Sequence, residues 1–334
     1  MKQSFYYFFL FGFLMIFGCK DKNTETNTNS SGYPEIEKVS QEIVNNPNKP
    51  ELYMQRAKFF YEKNLYDRAI PDVLKAISLD SLNPVLYHFL SDCYLDSGDG
   101  ASAKKTMFKV LGLYPERVPS LLKTAEIQYI LEEYENSILT INQAVKVDAQ
   151  NAECYFMLGV NFRALDDIPR AINSFQTAVE MDSKLTDAWL MLGELMEKNK
   201  DTRAQKYYES AVLSDPASPQ AKHALAYYYQ NHNNIPKALE LYREIIISNK
   251  DYQDAYLNSG ILYRELDSLD RAYEQFNILT GIAPTNANGF YFRGLTQKDR
   301  GKINEAVKDL ETALNLDSDN PDIIKDLEKL KSSK

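Results

Sequence analysis

Small side chains return at a fixed interval of 34 residues along most of this 334-residue chain. Ala57, Ser91, Ala125, Gly159, Gly193, Ala226, Gly260 and Gly294 form one series, with a single step of 33. Ala69, Ala103, Ser137, Ala171, Ala204, Ala238, Ala272 and Ala306 form a second. Its one short step places a one-residue deletion between Gly193 and Ala204. A third series runs through Ala76, Val110, Ala144, Ala178, Ala211, Ile245, Leu279 and Ala313. Three in-phase series over eight periods require a repeat architecture, in which each period is one supersecondary unit that buries its apolar face against its neighbours.

The intervening residues make each unit a helical hairpin. Tyr53, Tyr87, Leu121, Tyr155, Trp189, Tyr256 and Phe290 come early in each first helix. Phe60, Tyr94, Phe162, Met196, Tyr229 and Tyr263 follow two turns later on the same face. Val73, Met107, Ile141, Phe175, Tyr208, Tyr242, Phe276 and Leu310 belong to the second helices, where they fill the space that the small residues leave. Asn83-Pro84 and Asn320-Pro321 pair an N-cap with a first-turn proline.

Period and residue types together resemble the tetratricopeptide repeat over residues 50–320. Lys222 stands at an aromatic place of that pattern, Arg56 and Arg293 at a leucine place, and Gln128 and Gln297 at a tyrosine place. The resemblance implies an all-α fold, a right-handed α-solenoid of about eight helical hairpins. These span 50–83, 84–117, 118–151, 152–185, 186–218, 219–252, 253–286 and 287–320. A leading helix is expected over 34–49 and a polar-faced capping helix over 321–334.

The N-terminus has a different composition. Lys2 precedes an apolar run from Phe5 to Phe17, 13 residues long. That is short of the roughly 20 a bilayer-spanning helix needs, so residues 1–18 read as a secretory signal. Ile16-Phe17-Gly18-Cys19 resembles the bacterial lipobox, which implies cleavage before Cys19 and lipid (diacylglycerol, palmitate) attached to it. Residues 19–33 are nearly devoid of apolar side chains and read as a flexible tether with a reach of roughly 20 Å. Lys20 after the cysteine favours the bacterial outer membrane by resemblance to sorting rules. Lys20-Asp21 resembles the surface-export signal of Bacteroidetes lipoproteins. The face of the membrane stays open.

Catalytic constellations are missing from the sequence. The net charge of −9 argues against nucleic acid, which binds basic surfaces. His88, His223 and His232 are far apart in the array, and no phosphate loop, paired-histidine metal motif or nucleophile elbow occurs. The segment from Asp317 to Asp322 lacks the central glycine and terminal glutamate of a calcium loop. Cys93 and Cys154 form neither a disulfide framework nor a metal knuckle and are expected as buried thiols. The expectation is a non-enzymatic protein without cofactor or metal.

In the resembling family, positions 2, 5, 9, 12 and 13 of each first helix line a concave groove. Position 5 reads Met54, His88, Leu122, Phe156, Leu190, His223, Leu257 and Tyr291, an apolar and aromatic stripe. Lys58, Asp92, Glu126, Arg163, Glu194, Tyr227 and Arg264 flank it. Among the forty such positions stand twelve acids and five bases. Two readings remain: a groove for a protein or peptide segment with apolar anchors and basic flanks, or a stripe that packs internally beneath solubilising acids. The functional expectation is a scaffold lipoprotein at a bacterial envelope. The alternative is a carbohydrate-binding lipoprotein of a nutrient-uptake system, disfavoured by the short connections.

Overall fold

The computed structural model describes residues 33–332. The segment read as a signal, the lipid-anchor residue Cys19 and residues 20–32 of the tether lie outside them. Among the described residues there are eighteen α-helices and no strand. They divide into two compact units between Ser81 and Leu82.

The first unit holds α1 (Pro34–Asn45), α2 (Pro50–Glu62) and α3 (Tyr66–Leu79). Ile36, Val39 and Ile43 of α1, Tyr53, Ala57 and Phe60 of α2, and Ala69, Val73 and Ala76 of α3 are buried.

The second unit holds seven hairpins: α4 (Pro84–Asp96) with α5 (Gly100–Leu113), α6 (Val118–Ile130) with α7 (Tyr134–Val147), and α8 (Ala152–Ala164) with α9 (Ile168–Met181). Then come α10 (Thr186–Lys198) with α11 (Ala204–Ser214), α12 (Pro219–Asn231) with α13 (Ile235–Ser248), α14 (Gln253–Glu265) with α15 (Leu269–Ile282), and α16 (Ala287–Asp299) with α17 (Ile303–Leu316). The last helix, α18 (Pro321–Ser332), packs on α17. Each second helix also packs on the first helix of the next hairpin, so the arrangement within this unit is an α-solenoid.

The small-residue series has a direct steric cause. A Cβ added to Gly159 would lie 2.5 Å from the Phe175 ring, one on Gly193 would lie 2.7 Å from Tyr208, and one on Gly260 would lie 2.6 Å from Phe276. Where alanine or serine replaces the glycine, as at Ala57, Ser91 and Ala125, the opposing residue is the non-aromatic Val73, Met107 or Ile141. Only Ala226 faces an aromatic ring, Tyr242. The two positions share one volume between them.

Aromatic residues early in the first helices also satisfy loop carbonyls. Tyr53 Oη donates to the Pro47 carbonyl at 2.9 Å, Tyr155 Oη to Ala149 at 3.0 Å, and Trp189 Nε1 to Ser183 at 2.9 Å, each reaching back six residues. A cation stands over the aromatic ring facing the hairpin turn in four repeats: Arg68 over Phe60, Arg170 over Phe162, Lys237 over Tyr229 and Arg271 over Tyr263.

Every hairpin turn passes through a left-handed residue. Gly98 and Gly301 occupy two of these places, but Asn64, Glu132, Asp166, Lys200, Asn233 and Asp267 adopt φ between 55 and 60°. The next amide closes the helix end by donating five residues back, as Leu65 does to Phe60 and Glu133 to Gln128. The step from Lys200 to Asn233 is the only short one in this series. The deleted residue therefore lies between Lys200 and Ala204, a narrower interval than the small residues alone define. Its effect is local: α11 has 11 residues against 14 in the other second helices, and Asp201 instead holds Arg203 at 2.8 Å.

The two arginines at leucine places are paired. Arg56 Nε and Nη2 each donate to Asp72 at 2.7 Å, and Nη1 donates to Ser40 on α1. Arg293 repeats the fork on Asp309 at 2.9 and 2.7 Å, with Nη1 donating to Asn277 and Thr280 on α15. Both aspartates are buried and sit sixteen residues after their arginine. The lysine at an aromatic place, Lys222, pairs with Glu244 at 2.7 Å.

Candidate binding surface

Because α4, α6 and α8 are the first helices of consecutive hairpins and α6 touches both of the others, their outward residues share one face. A cavity of about 480 Å³ opens there. Leu122, Phe156, Met157 and Val160 form its apolar walls, with Glu126, Glu153, Lys123, Tyr129, His88 and Asn161 among its polar lining. Four expected groove residues, His88, Leu122, Glu126 and Phe156, thus meet in one pocket.

Lys123 sits one position off the expected lining. It is clamped by Asp92 at 2.6 Å and Glu126 at 2.9 Å. Its signal in the sequence is Glu126 one helical turn later. Asp92 is partly desolvated, which raises its pKa against the lowering by Lys123. The His88 imidazole is pushed down to about 4 by burial, with Arg117 and Lys123 adding repulsion. It is therefore neutral at pH 7, its Nε2 lying 2.9 Å from Ser120 Oγ and 3.5 Å from the Arg117 guanidinium. A ring nitrogen facing a guanidinium can only accept, so the hydroxyl and guanidinium are its donors.

Glu153 has no ion pair among the described residues. Burial raises its pKa, and the neighbouring Asp187 and Glu126 carboxylates raise it further. Beyond the pocket, Arg163 pairs with Glu194 at 3.1 Å and meets Met191 Sδ at 2.9 Å. Phe156 also leans on Phe175, ring centres 5.8 Å apart.

The remaining stripe residues serve other contacts. Leu190 packs against the core around Met196 and Tyr208, and Leu257 against that around Tyr256 and Leu279. His223 is stacked near Tyr227, lies beside Tyr242 and Tyr252, and receives a hydrogen bond from Asn258 Nδ2 at 3.1 Å. Arg264 binds Asp299 at 2.7 Å, and Tyr291 Oη donates to Asp326 on α18 at 2.7 Å. In the first unit, Met54 is half-buried on α2 and Lys58 is exposed. Every stripe residue is half-buried, and Leu122 and Phe156 also pack on the cores beneath them, so the stripe is part core and part surface along its length.

Cys93 and Cys154 are buried free thiols, raised to about 12 and about 11 by desolvation. Among the described residues no group of three or more His, Cys, Asp or Glu could hold a metal ion, and no helix is long and apolar enough to cross a membrane.

Residues 33–258 match the profile of the FAT domain, and residues 287–320 that of the tetratricopeptide repeat. Anaphase-promoting complex subunit 3 of Schizosaccharomyces pombe is 24% identical over 58% of this chain and 29% of its own length. The human mitochondrial import receptor subunit TOM70 is 23% identical over 78% of this chain and 45% of its own. The chain thus spans less than half the length of these relatives. The crystal structure of the yeast Tom70 superposes with a TM-score of 0.55 at 18% identity, covering 93% of this chain and 67% of that one. The Cut9–Hcn1 crystal structure gives 0.52 at 16% identity, covering 88% of this chain and 58% of that one.

Proposed function

The chain belongs to the FAT-domain family and is a tetratricopeptide-repeat protein, and from that premise we propose that it is a non-catalytic scaffold whose first-helix face holds a protein segment. The observation that carries this reading is the pocket of about 480 Å³ on α4, α6 and α8, apolar in its walls and acidic at its edge. Grooves that recognise peptides combine apolar anchoring with charge complementarity in this way. We further propose that the scaffold is a bacterial envelope lipoprotein, held at the outer membrane by lipid on Cys19. The support is the short apolar segment and the sequence Ile16-Phe17-Gly18-Cys19.

A photo-crosslinking amino acid tests the face. Placed at Glu194 or Asp254, both exposed on first helices, it should capture a partner in intact cells. Leu213 and Ile247, exposed on second helices at 80% and 67%, are the controls. Crosslinks confined to the controls would remove the first-helix face from consideration. For the anchor, Cys19→Ser should abolish labelling by a palmitate analogue and release the protein from membranes. Continued membrane association of that variant would refute lipid attachment.

A further inference from the structure

The pocket carries uncompensated negative charge at one end. Lys123 is already engaged by Asp92 and Glu126, so it does not serve Glu153. Asp187 and Glu126 each repel Glu153, which has no ion pair of its own among the described residues. Arg117 is turned toward His88 and Ser120. A second unmet demand lies at the other end. Asn161 lines the same pocket, is 1% exposed, and has an Oδ1 that is buried without a hydrogen-bond partner. Its orientation is fixed, because Nδ2 donates to the Met157 carbonyl at 2.8 Å. A buried acceptor left without a donor is uncommon and points to a donor supplied from outside the chain.

Glu153 and Asn161 are eight residues apart on α8, which is roughly 12 Å along the axis. Between them run Phe156, Met157 and Val160, faced by Leu122. The surface therefore asks for a cation at one end, an apolar stem in the middle and a hydrogen-bond donor at the other. We propose that the pocket seats a long cationic side chain, lysine or arginine, of an extended polypeptide. The cationic head lies between Glu126 and Glu153, the methylene stem lies on Leu122 and Phe156, and a peptide N–H of the same segment reaches Asn161. An extended chain covers the remaining distance in about three residues. Asn161 Oδ1 is closed to solvent, so the donor reaches it only as the surrounding pocket wall, which includes the flexible Met157, shifts. An acidic or neutral occupant would leave the Glu153–Asp187 repulsion uncompensated.

This inference rests on the scaffold reading of the same face and sharpens it to a residue type. Its test uses butylguanidinium and butylammonium as probes, titrated into the isotope-labelled full chain and followed by NMR. Saturable shifts at Glu126, Glu153 and Phe156 are expected, with Kd of about 1 mM, and the tighter of the two cations tells arginine from lysine. Glu153→Gln should weaken the binding about tenfold, the loss of one charge-assisted contact. Asn161→Leu should leave these small probes bound yet weaken a partner captured through Glu194. Butanol binding as tightly as the cations, or an unchanged Kd in Glu153→Gln, would overturn the proposal. If the cations fail while crosslinks from Glu194 and Asp254 persist, the scaffold reading stands and the cation seat falls. Cation binding without any first-helix crosslink would leave the cation seat standing and remove the scaffold reading.

Discussion

Replacing Gly159 by alanine would put a methyl carbon 2.5 Å from Phe175 Cε1, 2.6 Å from Cδ1 and 2.8 Å from Cζ. Comfortable carbon–carbon contact is about 3.5–4.0 Å, so the ring would have to withdraw by roughly 1 Å. It has little room to do so, because Phe175 is fully buried and Phe156 leans on it. Overpacking of this kind costs about 1–3 kcal/mol. Alanine returns about 1 kcal/mol through its better helix propensity. Three ring atoms clash at once, which puts the strain at the upper end, so Gly159→Ala should destabilise by about 1–2 kcal/mol. The partner arm is Phe175→Ile, which copies the Ala125–Ile141 pairing of another repeat. Urea denaturation of both single variants and the double variant gives the coupling, expected to be at least about 1 kcal/mol and favourable in the double. Should Gly159→Ala raise stability, and the double be additive within about 0.5 kcal/mol, the joint-volume explanation of the small-residue series would be wrong.

Glycine substitution at Glu132 and at Lys200 should each stabilise by about 1 kcal/mol, because a left-handed residue with a Cβ is strained; a lowered melting temperature would contradict this. Asp309→Ala should cost about 3 kcal/mol or more by stranding the Arg293 guanidinium, whereas Arg293→Leu with Asp309→Leu should be close to neutral; equal losses in both would refute the stranded-charge account. The low His88 pKa makes the native state resist a proton that the unfolded chain accepts near pH 6.5. Its contribution is therefore complete above about pH 6.5 and lost as pH falls toward about 4. For a half-buried ring the screened effect is about 1–2 kcal/mol. Wild type and His88→Gln should run parallel above that window and converge or cross within it, and a constant difference at all pH values would dismiss His88 as the source.

The hairpins could be read from the sequence because packing forces small residues into register, and Gly159, Gly193 and Gly260 face rings that an added Cβ would crowd. The left-handed turns were hidden, since Glu132 and Lys200 carry no signature of positive φ and adopt it under the hydrogen bond that closes each helix end. Arg56 and Arg293 looked like isolated departures from a leucine place. Reading them with the aspartate sixteen residues later would have revealed the fork. On the proposed binding face, period singled out His88, Leu122, Glu126 and Phe156, which line one pocket, but could not say how far each stripe residue is taken up by packing. All four stripe residues Leu122, Phe156, Leu190 and Leu257 pack in part on the core, and only the pocket sets the first two apart. Lys123 escaped because position numbering ignores a long side chain that crosses to the preceding repeat.

Within the second unit, each hairpin touches little beyond the hairpins before and after it. Cooperativity in such a chain decays with distance, so tension applied at its ends would peel hairpins singly from a boundary and leave the rest intact. Each event would release one 34-residue period, or a contour of about 115 Å, and the molecule would act as a graded extensible link.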